Sequence, residues 1–158
     1  MKPILASIKP GFLQIWLIVC LLFLTDSVDA VSPSDSVDLN SVYPVINVNS
    51  AQKKISKNGL SAIFKMRLRH WSDGSDVTVF VLPDGDPLHK KFCKQILNVF
   101  PHQMRKNWNK LVFSGTGQAP IVLENKEEMI DRVRATPGAV GYLGGDEIAK
   151  GIEILEIE

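Results

Sequence analysis

Two places in the sequence hold residues whose types and spacing could do chemistry. The first is Ser114-Gly115-Thr116-Gly117. Its two hydroxyls and backbone N–H groups could cradle a small oxyanion. It is not a Gly-x-Ser-x-Gly nucleophile elbow, and no lysine follows the last glycine as a phosphate-binding P-loop requires. The alternative reading is a glycine-rich loop chosen for backbone freedom. The second place is Asp86-Pro87-Leu88-His89, where a helix should begin. Asp86 suits an N-cap and Pro87 the first helical position. A helix start is a natural anion site. Here Asp84 and Asp86 put negative charge where the anion would sit, and Pro87 removes a donor. The candidate ligand-binding set is therefore Ser114, Gly115, Thr116, Gly117, Asp86 and His89. His89 and Cys93 lie four apart on the same helix, but two ligands do not make a stable zinc site, so no metal and no cofactor are expected. No nucleophile–base or acid–base pair stands out, and the protein is read as a non-enzyme.

The elements around these residues follow from pattern. Tyr43 to Val48 is β-rich and reads as a first strand, and Asn49 to Asn58 as a polar loop. Leu60, Ile63 and Phe64 have helical spacing within Gly59 to Met66. Val77 to Leu82 is apolar on both sides, as a strand covered on both faces must be. Leu88, Phe92, Ile96, Val99 and Phe100 form one apolar stripe, and Met104, Trp108 and Leu111 should face inward on a helix opened by Pro101. Ile121 to Leu123 reads as a short strand. Asn125 and Glu128 form a box-like helix start before Met129, Ile130 and Val133. Ala139 to Leu143 reads as a core strand, and the alternating Ile152 to Ile157 as an edge strand. Strands separated by helices imply an α/β protein with a mixed central sheet flanked by helices.

Residues 1–30 read as a cleavable signal peptide. Lys2 and Lys9 precede an apolar run from Phe12 to Leu24, too short to span a bilayer, where about 20 residues are needed. Val28 and Ala30 have the small-residue spacing of a cleavage site. The competing reading is an uncleaved anchor. Residues 31–42 read as a flexible lead-in and 43–158 as one domain, with no membrane span expected after cleavage. Cys93 is then the only cysteine, and a buried apolar role suits it. The formal net charge is +1, yet Lys53 to Lys110 carries twelve basic and four acidic residues, and Leu111 to Glu158 four basic and nine acidic. The lysines are not interleaved with aromatics, so nucleic acid is not an expected partner.

Leu60-Ser61-Ala62-Ile63-Phe64 followed by Trp71-Ser72-Asp73-Gly74 and a strand resembles a stretch of the phosphate-type periplasmic substrate-binding proteins of ABC transporters. The resemblance continues through Phe92, Trp108, Phe113-Ser114-Gly115 and Pro137-Gly138-Ala139-Val140-Gly141-Tyr142, from about Val45 to Ile157. It implies one lobe of a type II periplasmic-binding-protein fold, a periplasmic location, and a small oxyanion such as phosphate as ligand. Asp86-Pro87-Leu88 stands where the family has its phosphate-contacting Ser-Gly-Thr, and the family's arginine is absent, so those ligand roles are not carried over. Binding should then be weak or lost. The alternative is a protein-interaction module, docking an envelope partner or a second copy as a homodimer. Trp71, Phe80 and Trp108 would supply anchors for a partner, or would sit in the core.

Overall fold

A computed structural model describes residues 37–158 of the chain, and Val37–Glu158 form one compact unit. The signal-peptide reading falls on residues 1–30, outside the described residues. Among the latter, no helix is long and apolar enough to cross a membrane.

The two strongest apolar runs become neighbouring strands at the middle of a mixed five-stranded sheet. In chain order the elements are β1 (Val42–Asn47), β2 (Lys54–Ile55), α1 (Lys57–Phe64), β3 (Thr78–Val81), α2 (Pro87–Gln95), α3 (Pro101–Phe113), β4 (Ile121–Val122), α4 (Lys126–Ala135), β5 (Ala139–Gly144), β6 (Ile152–Ile154) and β7 (Glu156–Ile157), with a 3-10 turn at Gly145–Glu147. The main sheet runs β4-β3-β5-β1-β6. β3 is parallel to β4 and β5, whereas β1 is antiparallel to β5 and β6.

Period-two alternation on β5 shows how both faces are covered. A Cβ at Gly141 would lie 2.4 Å from the Met129 sulfur and 3.2 Å from Val133, so α4 packs against that face. Tyr142 points the other way, stacking on Phe92 at 4.2 Å and lying 6.1 Å from Phe64. Hence α1 and α2 cover the opposite face. Trp108 ties α3 to α1 by donating from Nε1 to the Phe64 carbonyl at 2.8 Å. Every residue of β5 is buried.

Several boundaries differ from expectation. Helix α1 starts two residues earlier and stops at Phe64, because Met66 takes φ +59°. The stripe from Leu88 does not extend to Phe100. Helix α2 ends at Gln95, Asn98 takes φ +51°, and Phe100 is 51% exposed at the start of α3. Leu111 is only half-buried. The expected C-terminal edge strand divides. β6 extends the main sheet, Leu155 is buried, and β7 pairs in parallel with β2 inside the segment read as a loop. The lead-in from Val37 is folded into a turn: Asp38 accepts from the Asn40 amide at 2.9 Å and donates its own amide to the Tyr43 hydroxyl at 2.9 Å.

Candidate functional site

Strands β3, β4 and β5 run the same way, so their C-terminal ends open at one edge. In open α/β sheets that edge is where ligands bind. Helices α2 and α4 begin there, and β1, being antiparallel, contributes its starting end. Together these form a cleft of about 540 Å³. Its walls are Leu82 and Asp86–Leu88 from the β3–α2 connection, Glu124–Glu127 at the start of α4, Gly144, Asp146 and Glu147 after β5, and Leu39–Ser41 before β1.

The polar groups of this cleft are largely engaged with one another. Asp86 caps α2, its carboxylate accepting from the Leu88 amide at 2.7 Å and the His89 amide at 3.1 Å. Pro87 has no amide hydrogen, and the Lys90 amide is bonded to the Asp86 carbonyl at 3.0 Å. The first turn of α2 therefore has no free donor for an anion. On α4, Asn125 accepts from the Glu128 amide at 2.9 Å, and the Glu128 carboxylate reaches back to the Glu124 amide at 2.8 Å. The amides of Lys126 and Glu127 receive no such cap. Five carboxylates (Asp86, Glu124, Glu127, Asp146 and Glu147) line the cleft against two lysines. Lys126 pairs with Glu147, and Lys91 donates to the Asn40 carbonyl. A phosphate dianion entering here meets more like charge than opposite charge.

Behind the cleft wall lies a buried polar chain. The Leu82 amide donates to the Tyr142 hydroxyl at 2.6 Å, and that hydroxyl is 2.6 Å from His89 Nδ1. The Asp84 carboxylate on the far side of the ring favours the hydrogen on Nε2, and the Tyr142 hydroxyl is then the donor to Nδ1. The imidazole then carries its hydrogen on Nε2, facing Cys93 Sγ at 3.6 Å and Asp84 at 3.9 Å. His89 is 1% exposed. Burial pushes its pKa down, opposed in part by Asp84. Burial also raises the Tyr142 phenol and lifts the Cys93 thiol to about 12. Such a thiol is not a reactive one. Asp84 is held in turn by Arg105, whose Nη2 donates at 2.9 Å and whose Nε donates at 3.1 Å. The network ties α2 to β5 and α3, and burial disfavours the charged form of the imidazole. Among the described residues no cluster of three or more His, Cys, Asp or Glu could hold a metal.

Of the residues singled out from the sequence, Asp86 lies on the cleft and His89 is buried behind it. Ser114–Gly117 are not among the cleft's lining residues; they close the C-terminal end of α3. Their amides are used by that helix. Gly115 donates to the Val112 carbonyl, and Thr116 and Gly117 both donate to Leu111. The Ser114 and Thr116 hydroxyls are 2.7 Å apart, and Arg69 donates to the Thr116 carbonyl. A helix C-terminus also carries the negative end of the dipole. Gly115 takes φ +69° in this turn. Trp71, Phe80 and Trp108 are core residues, each 5% exposed or less, and not docking anchors. The residues missed from the sequence are Leu39–Ser41 and Asn125–Glu127. The helix-start signal at Asn125 was present, but its place beside α2 follows only from the strand order.

No family model matches the chain, and no curated protein matches it. Solved structures do. PstS from Borrelia burgdorferi superposes with a TM-score of 0.57 at 17% identity, over 75% of this chain and 47% of its own. A Clostridium perfringens structure with bound phosphate, assigned to the phosphate ABC transporter substrate-binding proteins, gives 0.58 at 11%, over 77% and 47%. An ABC-type phosphate transport receptor from Vibrio cholerae gives 0.50 at 12%, over 74% and 46%. The chain spans about half the length of these structures. The described residues have the α/β fold of that part of a phosphate-type substrate-binding protein.

Proposed function

We propose that the protein is an exported, non-enzymatic, solute-binding-like protein whose described residues form one lobe of this fold and hold phosphate only weakly. The observation that carries this reading is the cleft at the C-terminal ends of β3, β4 and β5, in the fold of phosphate-binding proteins but with α2 capped by its own aspartate. The described lobe by itself encloses one side of a ligand, and so supplies only part of the burial that gives a small-molecule site its affinity. The uncapped amides of Lys126 and Glu127, with the Lys126 ammonium, are the groups we assign to a weakly held oxyanion. We assign Ser114–Gly117 the role of ending α3. The expected location is the periplasm, which rests on the signal-peptide reading and on the kind of protein that the fold resembles.

Titration calorimetry with inorganic phosphate tests this. The expected outcome is no saturable heat below about 1 mM phosphate. Tight one-to-one binding would refute the reading. The net acidity of the cleft favours a second reading, in which the inherited cleft docks a protein partner. Pull-down from an envelope extract, repeated with Glu127→Lys and Asp146→Lys, separates the two: a partner lost with the charge reversals supports docking.

A further inference from the structure

One face of the protein, separate from the cleft, is strongly basic and carries an exposed aromatic ring. It is built from α3 and the α1–β3 connection. Asn107 donates to the Lys65 carbonyl at 3.2 Å, and Arg69 donates to the Thr116 carbonyl. The connection Lys65–Arg69 therefore runs alongside α3 to its C-terminal end. On α3, Lys106, Lys110 and Phe113 recur at spacings of four and three, which puts them on one side of the helix. All three are exposed.

Neither Lys57–Arg69 nor Pro101–Gly117 contains an aspartate or glutamate. Lys65, Arg67, Arg69, Lys106 and Lys110 make no ion pair among the described residues, as Lys57, Lys90, Lys91, Lys94, Arg132 and Lys150 also do not, whereas Lys53, Lys54, Arg105, Lys126 and Arg134 each make one. Phe113 is 88% exposed and Leu68 39%. Cations without counter-charges select an anionic partner surface. An exposed ring at a helix end, with cations beside it in the sequence, fits an interface that deforms around it. That is how interfacial helices meet lipid, with aromatic side chains at the boundary between headgroups and acyl chains.

We propose that this face seats on an anionic phospholipid surface, with Phe113 entering the headgroup boundary and the five cations meeting lipid phosphates. Clusters of four to eight Lys and Arg recognise such surfaces, at about fivefold in affinity per cation.

Vesicle co-sedimentation tests it, using the purified protein with vesicles rich in phosphatidylglycerol and with purely phosphatidylcholine vesicles. Binding should be confined to the anionic vesicles and weaken steeply with added salt. Lys106→Gln and Lys110→Gln should each lower affinity about fivefold, and Phe113→Ser about tenfold. All three positions are exposed, so the variants keep the fold, which circular dichroism checks. No binding to anionic vesicles at low salt would overturn the proposal. So would equal binding to phosphatidylcholine, or binding that none of the variants alters. If soluble polyglutamate binds as tightly as the vesicles and Phe113→Ser leaves both unchanged, the face serves an acidic protein and the lipid proposal falls.

Discussion

At the scale of single residues, the string Pro137-Gly138-Ala139-Val140-Gly141-Tyr142 is held by close approach. Gly138 takes φ +71°, and a Cβ there would lie 2.2 Å from the Asp76 carbonyl oxygen. Its own carbonyl accepts from Trp71 Nε1 at 3.0 Å and from the Thr78 amide at 3.1 Å. Gly138→Ala should cost more than about 1 kcal/mol, read as a lower urea midpoint, because both the dihedral and the space are unfavourable. Tyr142→Phe strands the Leu82 amide and His89 Nδ1 without a partner, a loss of about 1–3 kcal/mol for each unsatisfied group. The string reads from the sequence as a core strand. What makes its glycines necessary does not, since Asp76 and Met129 are placed there by the fold.

His89 also sets a pH dependence. The unfolded imidazole takes up a proton below about pH 6.5, whereas the native one, its pKa lowered chiefly by burial, resists. The unfolded state then binds more protons, so stability is full above that pH and is lost as pH falls. Cys93 acts at the other end. Its thiol is held up to about 12, so ionisation of the unfolded thiol from about pH 8.5 removes stability as pH rises. Urea midpoints across pH should form a plateau with both arms, and His89→Asn should flatten the acid arm. An acid arm unchanged in that variant would assign it to other groups.

At the scale of elements, the start of α2 decides what the cleft can hold. Asp86-Pro87 was readable as a helix start, and its capping bonds are those the residue types imply. The other end of α2 was not readable: the apolar spacing continues to Phe100, but Asn98 in the left-handed region turns the chain and leaves the ring exposed. Local periodicity cannot register such a break. Asp86→Ala should destabilise the protein by about 0.5–2 kcal/mol through loss of the cap. Asp86→Ser keeps a capping oxygen and removes the charge. Phosphate affinity measured by calorimetry should then rise by at least about fivefold, since one like charge beside the anion is gone.

At the scale of the whole molecule, the α/β class with a mixed sheet was legible because apolar strands and amphipathic helices alternate along the chain. The strand order was not. β5 lies between β3 and β1, and β7 pairs with β2, through partners far apart in sequence. The cleft inherits that limit, because the chain before β1 and the start of α4 meet α2 only when the sheet forms. The molecule thus has the fold of phosphate-type binding proteins over about half their length, around a cleft whose nearest helix start is already capped. The most direct test is a titration of the isotope-labelled protein with inorganic phosphate, followed amide by amide by NMR. Fast-exchange shifts should centre on Lys126 and Glu127, still unsaturated at about 1 mM, with Leu88 and His89 unmoved. Slow exchange that saturates at one phosphate per protein, with the largest shifts at the start of α2, would contradict it.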